Sequence, residues 1–186
     1  ACSSFSNINL YGYHIYACDG SDVNIYRNPD DEETFIHEGE KGYNAFHINA
    51  LYDLLNHTYR DVVFQGKKKL HERDAFNAMI DRYHGPAAIF IADRGYESFN
   101  TFAHVMRAGQ KFLIRMKDID SNGILSAYDL PDGEFDSRIE TTLTKRHTKE
   151  TIGHPEIYTI LSPNTDFDFP EGETHYYKIS FRIVRL

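Results

Sequence analysis

The apolar residues in the first third of this chain recur mostly at every second position, which is typical of β-strands with one buried face. Two short β-rich runs, Tyr13–Cys18 and Val23–Tyr26, flank Asp19-Gly20-Ser21-Asp22. Because an Asp-Gly pair between such runs favours a tight turn, this arrangement predicts a hairpin. Residues 43–54 and 59–65 continue the alternation and predict two further strands. The pattern therefore predicts an antiparallel meander.

A helical period replaces this alternation at Glu72. Apolar residues then recur on one helical face until His84-Gly85-Pro86, where the helix should end. Residues 87–92 form an unbroken apolar run, which predicts a strand buried on both faces. A second helix is predicted from about Ser98 to Ala108, followed by a strand over Lys111–Met116. The order β-β-β-β-α-β-α-β predicts parallel crossovers after the meander.

The last third of the chain changes character. From Asp118 to Phe169 no helical period is seen, and short β-rich runs alternate with Asp, Gly, Pro and Asn. Thr174–Leu186 is a long alternating strand pattern that stops at Leu186, which suggests a trimmed fragment. We therefore expect two domains, one over residues 1–117 and a β-rich one over residues 118–186.

Composition narrows the class of protein. A hydrophobic content of 41% over 186 residues indicates a folded chain. No apolar stretch approaches the roughly 20 residues that span a bilayer, and the first residues do not resemble a signal peptide. The two cysteines, Cys2 and Cys18, suggest neither a disulfide scaffold nor a zinc site. We expect a cytoplasmic protein with no membrane partner.

The net charge of −8 is unevenly distributed. Residues 61–117 carry ten Lys and Arg against six Asp and Glu, whereas the segments on both sides are acidic. Local charge matters more than total charge for contact with a polyanion. Arg94 and the run Lys67, Lys68 and Lys69 are therefore candidates for phosphate contact, although a solvated helix and turn would explain these charges equally well.

Two aspartates follow predicted strands, at positions where α/β sheets often build their functional sites. Asp19 ends one strand pattern and Asp93 ends the buried run 87–92. Carboxylates are hard oxygen ligands that suit Mg²⁺ or Mn²⁺. Asp19 could also be an ordinary turn residue and Asp93 a helix cap, and Asp22 is a possible substitute for Asp19. The two aspartates taken together favour the metal site.

A meander followed by αβαβ matches the ribonuclease-H-like fold, an α/β fold with a mixed sheet. Asp93-Arg94-Gly95-Tyr96 resembles the Asp-x-Gly-Tyr/Phe signature around the second catalytic aspartate of DDE transposases of the insertion-sequence-4 family. Residues 17–23 resemble the strand with the first aspartate, and Glu72-Arg73 resembles the start of the helix in relatives. Residues 118–186 are similar to the β-rich insertion of those enzymes.

The resemblance implies an enzyme that hydrolyses phosphodiesters at transposon ends and joins them to target DNA, as a homodimer on double-stranded DNA. Asp19 and Asp93 would be catalytic metal ligands, with Gly95 and Tyr96 structural at the site. The family's third carboxylate lies in a Tyr-x2-Arg-x3-Glu-x6-Lys pattern that this sequence lacks. We therefore expect a fragment without its catalytic glutamate, unable to cut DNA alone. The insertion-domain tryptophan of hairpin-forming relatives is also absent, so Tyr158, Tyr176 and Tyr177 are the candidates for base stacking.

Two other functions remain open from the sequence. A derivative of a transposase could retain the fold and bind DNA without chemistry. An unrelated α/β hydrolase or phosphatase could use a strand-end aspartate as its nucleophile, but that function expects Asp19 to open a helix. The strand-like run Val23–Tyr26 disfavours this second alternative.

Overall fold

The computed structural model describes residues 8–67, 70–169 and 175–186. It divides into two compact units, one up to Arg115 and one over Met116–Leu186. The first unit contains β1 (His14–Ile25), β2 (Phe35–Ile36), β3 (Tyr43–Asp53), β4 (Thr58–Gly66), α1 (Glu72–Asp81), β5 (Ala88–Ala92), a 3₁₀ turn (Arg94–Tyr96), α2 (Phe99–Arg107) and β6 (Lys111–Ile114). The second contains a 3₁₀ turn (Ile124–Ala127), β7 (Phe135–Thr144), α3 (Lys149–Gly153), β8 (Tyr158–Ile160) and β9 (Tyr176–Arg185).

The first unit is built on one mixed sheet with the strand order β2-β3-β1-β5-β6, in which β4 also pairs with β3. The pairs β1–β3 and β3–β4 are antiparallel, whereas β1–β5 and β5–β6 are parallel. The predicted fold class is thereby confirmed, because an antiparallel meander precedes parallel crossovers through α1 and α2. This order places β1, which contains Asp19, beside β5, which Asp93 directly follows.

The predicted hairpin at Asp19–Asp22 is wrong. β1 runs unbroken through these residues and pairs with β3, so that Asp19 lies opposite Ala50 and Asp22 opposite His47. Gly20 does not adopt the positive φ that such a turn requires. The long ladder with β3 supplies partners for the whole strand, and this tertiary pairing overrides the local turn preference of Asp-Gly.

Helices α1 and α2 pack on one face of the sheet through aromatic residues. The ring of Phe76 makes edge contacts with Phe90 of β5 and with Tyr96, and all three side chains are buried. The prediction that β5 is buried on both faces is only half right. Ala88, Phe90 and Ala92 are buried, but the alternate residues Ile89 and Ile91 are only half-buried.

The second unit consists of a three-stranded sheet in the order β8-β7-β9. β7 and β9 are antiparallel and pair over ten residues, from Phe135 with Arg185 to Thr144 with Tyr176. The short helix α3 was not predicted, because five residues are too few to show a helical period. Its start is fixed by Thr148, which forms a reciprocal capping box with Thr151.

No helix in the described ranges combines the length and the apolar character needed to cross a membrane.

Candidate metal site beside β1 and β5

Asp19 lies within β1, and Asp93 directly follows β5, the adjacent parallel strand. The register pairs Ala17 of β1 with Ile91 of β5, so two further residues along each strand lead to Asp19 and Asp93 at the same end of the pair. Both side chains are exposed. The Asp19 carboxylate accepts a hydrogen bond from the Gly20 N–H at 2.9 Å, and Asp93 accepts one from the Gly95 N–H at 2.8 Å. The structure thus brings the two predicted residues to neighbouring positions, each held by its own backbone.

A third carboxylate, Glu72, lies between these two segments. It is the first residue of α1. A Cβ atom on Gly20 would lie 3.1 Å from Glu72 Oε1, and a Cβ atom on Gly95 would lie 3.9 Å from Glu72 Oε2. Sequence reasoning assigned no role to Glu72, although its place at the start of the helix between the two aspartate-bearing strands could have indicated one.

His47 of β3 also faces this region, and sequence reasoning missed it. The residue is only 4% exposed. Its Nδ1 lies 2.6 Å from Asp22 Oδ1, and its Nε2 lies 3.0 Å from Glu72 Oε1. The second contact has the distance of an ion pair but not the alignment of a hydrogen bond, so the buried Nε2 lacks a hydrogen-bond partner. The signal was available only in the strand register, since Asp22 and His47 are distant in sequence.

Lys67 forms an ion pair with the other oxygen of Asp22. The hydrogen bonds from Lys67 and from His47 lower the pKa of the Asp22 carboxyl. Lys67, a predicted phosphate contact, is therefore engaged with a carboxylate of its own chain. Asp22 is thus in contact with both His47 and Lys67.

Cys18 is a buried thiol next to Asp19. Burial, together with the carboxylates of Asp19, Glu72 and Asp93, raises the pKa of the thiol to about 12, although a hydrogen bond with Tyr96 lowers it.

Tyr96 is the last residue of the 3₁₀ turn that follows Asp93. It is 2% exposed, its ring contacts Phe76, and its hydroxyl lies 3.4 Å from Asn49 Oδ1. Burial, together with the neighbouring Cys18, raises the pKa of the Tyr96 hydroxyl. Arg73 fixes the same turn from α1, because its Nε donates to the Gly95 carbonyl at 2.9 Å.

Only some of the residues predicted to contact DNA lie in the part of the chain that the structure describes. Arg94 is exposed at the start of the 3₁₀ turn, directly after Asp93. Lys68 and Lys69 lie outside the described residues.

In the second unit the ring centroids of Tyr158 and Tyr176 lie 5.7 Å apart, and those of Tyr177 and Phe167 lie 5.2 Å apart. Tyr177 also lines a pocket of about 170 Å³ with Leu143, Lys145, Leu161 and His175 among its walls.

The carboxylates of Asp19 and Asp93 have the donor chemistry of a divalent-cation site. Exposed carboxylates are ligands for Mg²⁺ and Mn²⁺. Within residues 8–67, 70–169 and 175–186, however, no group of three or more His, Cys, Asp or Glu side chains is already arranged to hold a metal ion. The described side chains therefore offer a pair of carboxylates with a third nearby rather than a closed set of ligands.

Comparison with known protein families gives a match over most of the chain. The family model of the transposase DDE domain matches residues 11–176, which include both aspartates, Glu72 and most of the second unit. No curated protein and no solved structure matches the chain. Since the family model covers most of the sequence, the chain belongs to the family of transposase DDE domains.

Proposed function

We propose that this chain is the catalytic-core portion of a cut-and-paste DNA transposase of the insertion-sequence-4 type. The observation that carries the proposal is the parallel register of β1 and β5, in which Asp19 and Asp93 each follow the last registered pair, Ala17 and Ile91, by two residues. Open α/β sheets build their sites beyond the carboxyl ends of strands such as β5. Membership of the transposase DDE domain family supports the same function.

Each side chain has a distinct role in this proposal. Asp19 and Asp93 bind Mg²⁺ or Mn²⁺, and the Gly20 and Gly95 N–H groups orient their carboxylates. Bound divalent ions activate an attacking oxygen and stabilise a leaving oxygen in phosphoryl transfer. Gly95 leaves room for a DNA backbone to approach, because it presents no side chain beside Asp93.

DNA is the partner in this proposal, both as transposon ends and as target, and the complete enzyme acts as a homodimer. Arg94 contacts phosphate, as do Lys67, Lys68 and Lys69, and such contacts position DNA without reading its sequence. For Lys67 this requires exchange of its ion pair with Asp22 for a phosphate. Stacking of a base on Tyr158, Tyr176 or Tyr177 belongs to the same proposal.

The family's final glutamate is expected in a helix beyond this chain, because its sequence pattern does not occur here. The 186-residue chain should therefore fail to nick end DNA with Mg²⁺. The full-length gene product should cleave it and lose cleavage with Asp93→Asn, while Asp74→Asn, an exposed change in α1, should leave cleavage intact.

Nicking by the 186-residue chain that vanishes with Asp93→Asn would overturn the expectation of a missing glutamate. A non-catalytic derivative is the second candidate, favoured by the lack of a preformed three-residue metal cluster among the described side chains. It predicts that the full-length product binds DNA without cleaving it, and that Asp19→Ala and Asp93→Ala leave this binding intact.

A further inference from the structure

We propose that a pocket between β3, β4 and the end of α1 binds a small organic carboxylate, with its charged group at two arginines and its apolar part on the pocket floor. The pocket has a volume of about 290 Å³ and is lined by Leu51, Arg60, Asp61, Met79, Arg82 and Tyr83. Glu72 is the first residue of α1, whereas Arg82 follows its last residue, so the length of the helix, about 15 Å, lies between them. The pocket is therefore separate from the metal site of the proposed function.

The floor of the pocket is apolar and rigid. Leu51 of β3, Met79 of α1 and Tyr83 are almost fully buried. The Tyr83 ring is held by edge contacts with the rings of Tyr16 and Phe90. Such a floor favours an apolar ligand group, because it can cover that group without first having to be ordered.

Two arginines and one aspartate form the charged wall of the pocket. The Arg82 guanidinium donates through Nε and Nη2 to the two oxygens of Asp61, so these two charges compensate each other. Arg60 lies over the Tyr83 ring, with 5.7 Å between its Cζ atom and the ring centroid. Within residues 8–67, 70–169 and 175–186, the Arg60 guanidinium forms no ion pair and no hydrogen bond. The wall therefore carries one uncompensated positive charge.

This charge and the floor together define the chemical class of the ligand. A guanidinium without an acidic partner is matched by a carboxylate, whose two oxygens fit its fork of N–H donors. The Nη1 group of Arg82 makes no hydrogen bond to the described residues either, so it offers further donors in the same pocket. A backbone phosphate of DNA also carries one negative charge, but it brings no apolar group for the floor. A carboxylate with an apolar body uses both parts of the pocket.

The test is a titration of the ¹⁵N-labelled 186-residue chain with benzoate, followed by nuclear magnetic resonance. We expect saturable shifts of the Arg60, Asp61 and Tyr83 amide signals. Acetate, which keeps the charge but lacks the ring, should bind about 10-fold more weakly, because burial of the ring supplies part of the affinity. Benzyl alcohol, which keeps the ring but lacks the charge, should also bind about 10-fold more weakly or worse.

Arg60→Gln should weaken the binding of benzoate about 10-fold or more, because the neutral amide does not compensate the carboxylate charge. The Arg60 side chain is exposed, so this change should leave the fold intact. Arg138→Gln is the matched control, because Arg138 is also an exposed arginine in a β-strand but lies in the second unit. Its affinity for benzoate should equal that of the parent chain.

Equal affinities of Arg60→Gln and Arg138→Gln would overturn this inference, as would a parent chain that does not bind benzoate or binds acetate equally well. Displacement of benzoate by duplex DNA would also overturn it and would assign the pocket to a backbone phosphate. None of these results bears on the metal ions of the proposed function, which the cleavage assay tests separately.

Discussion

The two units of the chain differ in the polar groups that they bury. The first unit buries ionisable side chains, whereas the buried polar residues in the described part of the second unit are all threonines. In the described part of the first unit, the buried histidines and carboxylates are His14, His47, Asp53, Glu97 and His104. The buried threonines of the second are Thr141, Thr142, Thr144 and Thr151.

The two kinds of buried polar group differ in the partners that they need. A buried charge costs far more free energy than a buried hydroxyl unless partners compensate for it. Asp53 receives hydrogen bonds from Leu55 and Asn56, and His104 lies 2.7 Å from Asp81. Thr151 satisfies its hydroxyl within its own short turn. Asp53 and His104 of the first unit thus have partners that compensate for their burial, whereas Thr151 of the second unit needs only neutral, local hydrogen bonds.

The largest effect is expected from Asp53→Ala in the first unit. This change leaves the Leu55 N–H, the Asn56 N–H and the Asn56 side-chain amide without their acceptor, which should lower the free energy of unfolding by about 3 kcal/mol. Urea unfolding measures this loss. Asp30→Ala, a change at an exposed carboxylate, is the control and should have little effect.

The free energy of unfolding that Asp53→Ala removes should also depend on pH. Burial alone would raise the pKa of Asp53, but the hydrogen bonds from Asn56 and Leu55 outweigh it and lower the pKa. A depressed pKa means that the stabilisation is complete above the unfolded value of about 3.9 and disappears as pH falls through the folded value. The difference in the free energy of unfolding between the parent chain and Asp53→Ala should therefore shrink below about pH 4. An equal difference at neutral and acid pH would contradict this assignment.

A smaller loss is expected from Gly20→Ala, also in the first unit. The new methyl group would collide with the buried His47 ring, so we expect destabilisation of about 2 kcal/mol. The matched change in the second unit is Gly153→Ala, where a Cβ atom meets nothing within 4 Å. That variant should be as stable as the parent or slightly more stable. Thermal unfolding of both variants measures this difference in stability. Equal losses of stability in the two variants would contradict the prediction.

The smallest loss is expected from Thr151→Val in the second unit. Valine keeps the shape of the side chain but removes its hydrogen bonds with the Arg146 carbonyl and the Thr148 N–H, at a cost of about 1 kcal/mol. Urea unfolding compares this loss with that of Asp53→Ala. A loss as large as that of Asp53→Ala would erase the distinction between the two units.

Sequence periodicity predicted the elements that depend on local order. The predicted start of α1 at Glu72 agrees with the structure, and α2 occupies Phe99–Arg107 with Ser98 as its cap. Amphipathic helices show themselves in this way because one face is buried along the whole element. The parallel placement of β1 beside β5 followed from the same element order.

The features that sequence reasoning missed all depend on distant partners. Asp19-Gly20 favours a turn locally, and only its pairing with β3 makes it part of a strand. His47 meets Glu72 and Asp22 because three separate elements converge, which no local pattern reveals. The half-exposed face of β5 was likewise invisible, because an apolar run does not show which of its faces is covered.

The most direct test of the central claim is nuclear magnetic resonance of the ¹⁵N-labelled chain with trace Mn²⁺, a paramagnetic ion that broadens nearby amide signals. If Asp19 and Asp93 share one ion, the Gly20 and Gly95 amides should broaden together, and both effects should disappear in Asp93→Asn. Broadening at Gly20 that persists in Asp93→Asn, or that never reaches Gly95, would contradict a shared site.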